Sequence, residues 1–337
     1  MAKFFHRIRS NTSPYASGPL RVLFVMEQQI GHRTYSQNLK AAVELLDFVD
    51  ATWVAVTYEE HGGVIERIPL PSGVRGALRG RRQIRRALSA DDVDAVLFFT
   101  QVPAVLAGRK GRSRPYFIVL DDTPILFDEM SEHYGQRRDR IAPLRWFKQL
   151  ANRRTLQAAA AVLPFSAWAA RSLVEDYGVD RARVEIIPPG VDTREWYPRT
   201  GSVADRFRVL FVGGDFSRKG GPTLLRALTR LNVGSWSADI VTRSPVPPTP
   251  GVTVHTDMEP NSSALRSLFR ESDVLVMPSL AEAFGHVVVE AAASGLPAIV
   301  SDVGGMPEIV EPEKTGFVVQ PDDDEAIREF LQRLIDD

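Results

Sequence analysis

The sequence predicts an α/β protein built from two doubly wound, Rossmann-like domains that face each other across a cleft. Three observations predict this fold class. The chain has 337 residues, and at roughly 100 to 200 residues per domain this length favours two domains. Short apolar runs alternate with helical patterns along the chain. The pentapeptide Arg-Val-Leu-Phe-Val occurs at residues 21–25 and again at 208–212, as if each half restarted the same unit, although so short a match can also arise by chance.

The apolar runs are predicted to be strands buried on both faces, because they are short, continuous and followed by polar or glycine-containing turns. Besides residues 21–25, the first half contains candidate strands at residues 52–57, 95–99, 116–120 and 160–163. Besides residues 208–212, the second half contains candidates at residues 238–241, 252–255, 274–277, 298–300 and 316–319.

Helical patterns separate most of these runs, and we expect helices at residues 35–46, 168–177, 223–231, 263–270 and 324–334. Strands that alternate with helices form parallel sheets, which bind ligands at the carboxyl ends of their strands. Two such domains are therefore expected to bind their ligands in the cleft.

The domain boundary is predicted at Gly190, at the start of a linker over residues 188–205 that is rich in Pro, Gly, Asp and Arg. Residues 1–18 are expected to form a flexible tail, residues 19–190 the first domain and residues 191–337 the second. Residues 1–190 contain 27 Lys+Arg and 20 Asp+Glu, a net charge of +7. Residues 191–337 contain the remaining 14 Lys+Arg and 22 Asp+Glu, a net charge of −8. The basic part is expected to meet an anionic partner.

The composition excludes several classes of protein. Hydrophobic residues at 44% and charged residues at 25% argue against a disordered, fibrous or membrane-spanning chain. The absence of cysteine excludes disulfides, thiolate metal sites and a catalytic thiol. The basic first residues are followed by polar ones and not by the apolar core of a signal peptide, so a cytoplasmic protein is expected.

The segment from Asp273 to Pro312 is the most informative. A buried strand ends at Pro278, a loop carries Glu282, and a helix is predicted to begin at Phe284-Gly285. The valines at 287–289 would also suit a strand, but the alanines and the glycine that follow them favour a helix. A helix start beyond a parallel strand offers free N–H groups to an anion such as a diphosphate. Glu290, farther along this helix, could accept hydrogen bonds from a ribose diol.

A second segment, residues 212–221, reads Val-Gly-Gly-Asp-Phe-Ser-Arg-Lys-Gly-Gly. Gly213 and Gly214 let the backbone approach a ligand, and Arg218 and Lys219 can neutralise a departing diphosphate. The segment lacks the Gly-Lys-Ser/Thr ending of a Walker loop, and no G-x-G-x-x-G fingerprint occurs. These absences argue against a nucleotidase or a dehydrogenase.

Together these motifs resemble glycosyltransferase family 4, retaining enzymes of the GT-B fold. The resemblance is carried by Gly213-Gly214 with residues 218–221, and by residues 282–285 with Glu290. Supporting matches follow in order over most of residues 160–325, at positions 165–166, 187–192, 304–308 and 316–319.

The resemblance implies roles for the residues that carry it. Arg218 and Lys219 would contact the donor diphosphate, and Glu290 would contact the ribose hydroxyls. Glu282 would contact the donor sugar, together with the loop that continues through Phe284, Gly285 and His286. The sugar would be transferred with retention, the acceptor attacking from the face that the diphosphate leaves, and the diphosphate would help to remove the acceptor proton. Neither a metal nor another cofactor is then required, and the Asp runs at 91–92, 121–122 and 322–324 are interpreted as solvated loops or helix caps.

Candidates on the acceptor side come from the first half. Gly31 and His32 open a helix where the family has a glycine-rich loop. Asp122 follows a strand where the family places a polar residue near the reacting sugar; it is the preferred catalytic candidate beside Arg218, Lys219 and Glu282. Asp121 is the alternative, and a helix cap or turn explains either residue equally well. His133 is a further acceptor-side candidate, for which a simple surface position is the alternative.

Two basic clusters stand apart from these motifs. The range Arg75–Arg86 contains six arginines, and in a helix positions 75, 79, 82 and 86 share one face. The range Arg137–Arg154 surrounds Trp146 and Phe147. Both clusters suit an anionic membrane surface, and a solvated arginine face explains them equally well. Nucleic acid is not an expected partner, because no recognition motif accompanies the charge.

The sequence therefore predicts an enzyme that transfers a sugar from a UDP- or GDP-sugar to a glycan, lipid-linked or small-molecule acceptor. It is expected in the cytoplasm or peripherally on the inner face of the membrane. The alternatives are a sugar phosphorylase or nucleotide-sugar hydrolase on the same fold, and a non-catalytic protein that binds sugar nucleotides. The family continues with further helices beyond residue 334, so the second domain is expected to be short at its end.

Overall fold

A computed structural model describes residues 18–28, 32–58, 72–90, 92–135, 142–200, 206–232 and 234–336. Apart from Gly18, the predicted tail lies outside these residues. Within the described ranges, no helix is both long enough and apolar enough to cross a membrane.

The first half forms a five-stranded parallel sheet. Its strands are β1 (Leu20–Glu27), β2 (Val49–Val56), β3 (Ala95–Phe99), β4 (Tyr116–Leu120) and β5 (Ala161–Pro164). Their order is β2-β1-β3-β4-β5, so the order reverses between the neighbours β1 and β3. The carboxyl ends of strands at such a switch point leave a crevice for a ligand. The helices are α1 (His32–Val43), α2 (Ser72–Ala90), α3 (Gln101–Gly111), α4 (Pro124–Met130), α5 (Ala142–Ala158) and α6 (Ala167–Glu175).

The second half forms a six-stranded parallel sheet. Its strands are β6 (Phe207–Val212), β7 (Trp236–Val241), β8 (Val252–His255), β9 (Val274–Met277), β10 (Ala298–Ser301) and β11 (Gly316–Val319). Their order is β11-β10-β9-β6-β7-β8, which puts the switch point between β6 and β9. The helices are α7 (Gly221–Thr229), α8 (Ser263–Glu271), α9 (His286–Ala293) and α10 (Asp324–Asp336).

Burial on both faces explains why the strands are continuous apolar runs. In β6, Val209 and Phe211 belong to the core on one face of the sheet, whereas Leu210 belongs to the core on the other. Every residue of β3, β4, β9 and β10 is buried. Full burial of one such side chain contributes about 1.5 to 3 kcal/mol, so these strands anchor the two cores.

The described chain divides into two compact units that differ slightly from the two halves of the sequence. The first unit takes the residues up to Leu126 and those of α5 through to Pro188. The second takes everything from Pro189 onward and also a segment of the first half, Phe127–Gly135. The chain therefore passes between the units within α4.

The predicted elements are present with small shifts at their ends. The candidate strands at 95–99, 116–120, 252–255, 274–277 and 316–319 have the predicted bounds. The valines after Gly285 lie in a helix, which settles the choice between helix and strand there. The predicted helix at residues 35–46 begins earlier, at His32, and ends at Val43.

The arginines predicted to share one face of α2 are not all at the surface. Arg79 is only 8% exposed, and its guanidinium donates a hydrogen bond to the carbonyl oxygen of Tyr58. The exposed arginines of this helix are 81, 82, 85 and 86. Arg79 therefore supports the fold of the first unit and is not part of a solvated arginine face.

Candidate functional site

At the switch point of the second sheet, the loop after β6 touches the loop after β9. Gly220 lies in the left-handed region at φ 76°, and a Cβ at this position would stand 1.9 Å from the carbonyl oxygen of Pro278. Only glycine permits so close a contact. A backbone hydrogen bond of 2.9 Å from the amide of Leu280 to the carbonyl of Arg218 joins the same loops. The residues of the two predicted motifs are thereby brought together.

Lys219 and Glu282 form an ion pair across these loops, and each side chain is only 13% exposed. Burial, followed by the charge of Arg218, lowers the pKa of Lys219 well below its ordinary value, and the charge of Asp215 opposes this shift. The carboxylate of Glu282 favours the ammonium form by direct contact. The pair therefore presents one fixed cation and one fixed carboxylate at the switch point.

The guanidinium of Arg218 lies beside this pair and is 12% exposed. Its Nη1 donates to the carbonyl oxygen of Ala281 at 2.8 Å, and its Nε lies 3.6 Å from a carboxylate oxygen of Asp215. Its Cζ lies over the ring of Tyr134, 4.4 Å from the ring centroid. A guanidinium has five N–H donors, so this one retains donors for an anion.

Helix α9 begins at the same place, directly after Gly285. Its first turn contains no acidic side chain, and its N-cap residue, Gly285, makes no side-chain capping hydrogen bond. The first N–H groups of a helix have no partner within the helix, and they carry the positive end of its dipole. The start of α9 therefore places the positive end of a helix dipole at the switch point. Phe284, just before it, is buried, and its ring contacts that of His286 edge-on at 6.1 Å between centroids.

Glu290 lies one turn into α9 and is only 4% exposed. Burial raises the pKa of its carboxyl group to about 8. Within the described ranges, no group donates a hydrogen bond to this carboxyl group. A buried acid without a partner costs stability, and such a group commonly marks a place where a ligand supplies the missing hydrogen bonds.

A third loop, after β10, closes on the loop that carries Glu282. Gly304 has φ 59°, and a Cβ there would stand 2.0 Å from the carbonyl oxygen of Glu282. The amide of Gly305 donates to the carbonyl of Ala283 at 2.9 Å. After β6, the carbonyl of Gly214 accepts from Ser244 Oγ at 3.2 Å, and the position of a Cβ on Gly214 is open space. Gly213 packs against the stem of Lys219.

The switch point of the first sheet carries a different set of groups. Glu27 ends β1 and is 4% exposed, and Thr100 Oγ1, after β3, donates to its Oε2 at 2.5 Å. His32 Nε2 lies 3.7 Å from Asp121 Oδ2, after β4. The structure therefore brings two predicted acceptor-side residues, His32 and Asp121, to the carboxyl edge of this sheet.

These groups shift one another's proton affinities. Burial, and then the charges of Asp121 and Glu27, raise the pKa of Asp122 well above its ordinary value. Burial lowers the pKa of His32, but the hydrogen bond and charge of Asp121 and the charge of Glu27 outweigh it, so the pKa of His32 is raised. Burial also raises the pKa of Glu27, against the hydrogen bond from Thr100. The edge can therefore hold protons that isolated carboxyl groups would lose.

Thr100 is held in a strained conformation at this edge, with φ 66° and ψ 164°. This region is almost confined to glycine and costs of order 1 to 3 kcal/mol in other residues. Its hydroxyl group bonds Glu27, and it also accepts from the amide of Val102 at 3.4 Å. The strain is thus compensated at a place where the topology predicts a ligand.

Two acceptor-side candidates are not among these groups. Gly31 lies outside the described residues. His133 is exposed, in the 3-10 turn Ser131–Tyr134 that belongs to the second unit. Sequence reasoning missed Glu27, Thr100 and Tyr134. The acidic residue at the end of the apolar run of β1 was the one local signal for Glu27, and nothing local pointed to the other two.

Two family models match the chain in order. The model described as Glycosyltransferase Family 4 matches residues 41–195, and the model described as Glycosyl transferases group 1 matches residues 251–337. The second match contains Glu282, Glu290 and the loop at Gly304.

Curated relatives carry related names. The MMP alpha-(1->4)-mannosyltransferase of Mycolicibacterium hassiacum is 29% identical over 306 residues, which cover 80% of this chain and 73% of that protein. The D-inositol 3-phosphate glycosyltransferase of Paenarthrobacter aurescens is 28% identical over 226 residues, which cover 56% of this chain and 52% of the relative. The match thus spans about half the length of this second relative.

Solved structures share the architecture. Sucrose-phosphate synthase from Thermosynechococcus elongatus gives a TM-score of 0.73 at 18% identity, over 94% of this chain and 90% of that one. Anabaena HepE in complex with UDP-glucose gives a TM-score of 0.63 at 17% identity, over 94% of this chain and 90% of that one. At such identities the likeness establishes the fold alone, which is GT-B, as predicted. Because both family models match in order on this fold, the predicted resemblance to glycosyltransferases of the group 1 and family 4 type is confirmed.

Proposed function

We propose that this glycosyltransferase moves a hexosyl residue, with retention of anomeric configuration, from a nucleotide sugar to a hydroxyl group of an acceptor. One observation carries the proposal: Arg218, Lys219 and the start of α9 lie on loops that touch at the switch point of the second sheet, with Glu290 one turn farther along. Cations and helix amides suit a diphosphate, and an unpartnered carboxyl group suits a diol.

In the proposed complex, the diphosphate accepts hydrogen bonds from Arg218, from Lys219 and from the first amides of α9. Glu290 lies about 6 Å along the axis from His286, at a rise of roughly 1.5 Å per residue, which suits the distance between a diphosphate and the ribose of the same nucleotide. Glu282, held by Lys219, accepts hydrogen bonds from the donor sugar. Gly213 and Gly214 let the backbone approach the ligand.

In the proposed reaction, the bond between the anomeric carbon and the diphosphate oxygen breaks while the acceptor oxygen bonds to the same face of that carbon. The acceptor proton passes to an oxygen of the departing diphosphate. Arg218 and Lys219 stabilise the charge that develops on this leaving group. No residue need become covalently attached to the sugar.

On the acceptor side we assign Asp122, with Asp121 and His32, to binding the acceptor hydroxyl groups. The carboxyl groups accept hydrogen bonds from hydroxyl groups, and the raised pKa values of Asp122 and His32 let this edge keep protons that ordinary groups of these kinds would lose. The acceptor itself is proposed to be a glycan or polyol, in lipid-linked or free form.

Product analysis with the full chain tests the proposal. UDP-glucose, GDP-mannose and ADP-glucose are each incubated with and without a glycoside, an inositol phosphate or a lipid-linked glycan. We expect release of nucleoside diphosphate that depends on an acceptor, and a product whose anomeric configuration, determined by NMR, equals that of the donor. Release of nucleoside diphosphate without an acceptor would favour a hydrolase. Dependence on free phosphate would favour a phosphorylase, and nucleotide binding without turnover would favour a non-catalytic protein.

We also propose that no metal ion takes part. Arg218 and Lys219 supply, at the diphosphate, the positive charge that a divalent cation would otherwise supply. Transfer should therefore continue in EDTA, and a loss of activity that Mg²⁺ or Mn²⁺ restores would contradict this assignment.

A specific observation favours the membrane partner predicted from the basic clusters. Trp146 and Phe147 are 64% and 65% exposed on the first half of α5, between the exposed Arg145 and Lys148. Helix α2, with its four exposed arginines, packs beside α3, which in turn packs beside α5. Exposed aromatic rings beside cations suit the surface of an anionic bilayer, at about 1 kcal/mol for each basic residue. We propose that the first unit docks there, on the inner face of the membrane.

Cosedimentation with vesicles tests this docking. The chain should bind phosphatidylcholine vesicles that contain phosphatidylglycerol, and W146S/F147S should reduce the bound fraction. Leu45→Ser is a matched control, because Leu45 is 67% exposed but lies outside both basic clusters. Equal binding to vesicles of phosphatidylcholine alone would exclude an electrostatic partner.

A further inference from the structure

The ring of Tyr134 lies against the guanidinium of Arg218. The distance from Arg218 Cζ to the ring centroid is 4.4 Å, and Nη1 donates to the phenol oxygen at 3.4 Å. On the basis of the proposed function, we propose that Tyr134 is a positioning residue for the donor diphosphate and that it acts through Arg218.

Two other contacts hold the guanidinium of Arg218, and Tyr134 adds to them. The carbonyl of Ala281 holds Nη1 at 2.8 Å, and Asp215 lies 3.6 Å from Nε. These contacts fix two points of the group. An arginine side chain loses up to about 2 kcal/mol of rotamer entropy when it becomes ordered. If the ring face of Tyr134 already orders the guanidinium in the free protein, less rotamer entropy is lost when a ligand binds.

Tyr134 is itself held by its own segment. Its ring packs on Phe127 with 5.2 Å between centroids, and Ser131, which is 2% exposed, donates to the carbonyl of Asp128 at 2.7 Å. The 3-10 turn that ends at Tyr134 is closed by Gly135, in the left-handed region at φ 65°. The turn is therefore built to hold the ring in one place.

Tyr134 lies in the first half of the sequence but belongs to the second unit. Tyr134 follows β4 and α4, which begin in the first unit, yet its segment belongs to the second. A residue close in sequence to Asp121 and Asp122 thus completes the surroundings of Arg218, which is 84 positions away. The ring contacts Arg218 both through its face and through its hydroxyl group, so we assign Tyr134 to the donor site.

A double-mutant cycle on nucleotide affinity separates positioning from packing. The probes are UDP and GDP, titrated calorimetrically into the full chain and its variants. Cation–π contacts contribute about 0.5 to 2 kcal/mol, so Y134A should weaken binding about 2- to 30-fold, and Y134F should keep most of the affinity. In an R218Q background, Y134A should produce little further loss, because the partner through which it acts is gone.

A matched control exists in the same unit. Arg270 covers the ring of Tyr197 at 4.8 Å, away from the switch point, so Y197A removes the same kind of contact and should leave nucleotide affinity unchanged. Equal losses from Y134A in the native and R218Q backgrounds, or no loss in the native one, would overturn the inference while leaving the proposed function intact. If the native chain binds neither UDP nor GDP, the inference falls, and the proposed function is then decided by the product analysis, which also includes ADP-glucose.

Discussion

The ammonium of Lys219 and the carboxylate of Glu282 form an ion pair that joins two loops of the second sheet. Each is the nearest counter-charge of the other, so removing either one leaves the second partly buried and unpaired. Such a pair fixes side chains more than it stabilises the fold. A donor that arrives between them therefore meets charges already in place.

Lys219→Met should weaken the binding of a nucleoside diphosphate about 10- to 150-fold, the value of a charge-assisted hydrogen bond of roughly 1.5 to 3 kcal/mol. Calorimetric titration measures this change. Lys314→Met is the control, because Lys314 pairs with Glu311 on the surface. A Lys219 variant with native affinity would remove this residue from the donor site.

Glu290 should make stability depend on pH. In the unfolded chain its pKa is near the ordinary 4.5, whereas in the folded protein it is about 8. Between these values the folded state binds the extra proton, so the free energy of unfolding falls as pH rises. The fall ends above pH 8 at a total of about 5 kcal/mol.

Glu290→Gln should remove most of this slope, because glutamine does not titrate. Urea unfolding at several values between pH 5 and 9 measures it, with Glu44→Gln as an exposed control. If the variant keeps the full slope of the native chain, the buried acid lies elsewhere.

Gly304→Ala should displace the loop that carries Glu282, since its methyl group would overlap the carbonyl of that residue. We expect a loss of roughly 2 to 4 kcal/mol of stability together with weaker nucleotide binding. Gly190→Ala is the control, because no atom lies within 4 Å of its added methyl group and its φ is not positive. Thermal unfolding and titration report the two effects, and native stability in Gly304→Ala would show that the loops separate freely.

Glu27→Gln should separate the two sides of the reaction. The charge of Glu27 helps to keep His32 protonated, and its carboxylate accepts a hydrogen bond from Thr100. Its loss should therefore lower kcat/KM for the acceptor about 10- to 150-fold, the effect of one hydrogen bond to a charged group. Nucleotide affinity, which depends on the second unit, should not change. Thr100→Val removes the same hydrogen bond and should act in the same direction, whereas a fall in nucleotide affinity alone would contradict the assignment.

The fold could be predicted from the sequence because strands that are buried on both faces appear as short apolar runs, such as residues 95–99 and 274–277. The proximity of the predicted donor-side residues could also be inferred, because Arg218 and Lys219 follow one strand of a parallel sheet, and Glu282 and Glu290 follow another. Glu27 and Thr100 could not be predicted as site residues, because their contact depends on which strands are neighbours in the sheet. Their 73-residue separation carries no local pattern.

The passage of the chain between the units within α4 limits how the protein can be divided. A fragment cut at Pro188 and Pro189 would carry the whole second sheet but would leave Phe127–Gly135 behind. A chimera made at that junction would join Arg218 to the corresponding segment of a different relative. An exchange that keeps the second unit of this chain whole therefore needs two crossover points, one on each side of that turn, in addition to the junction at the linker.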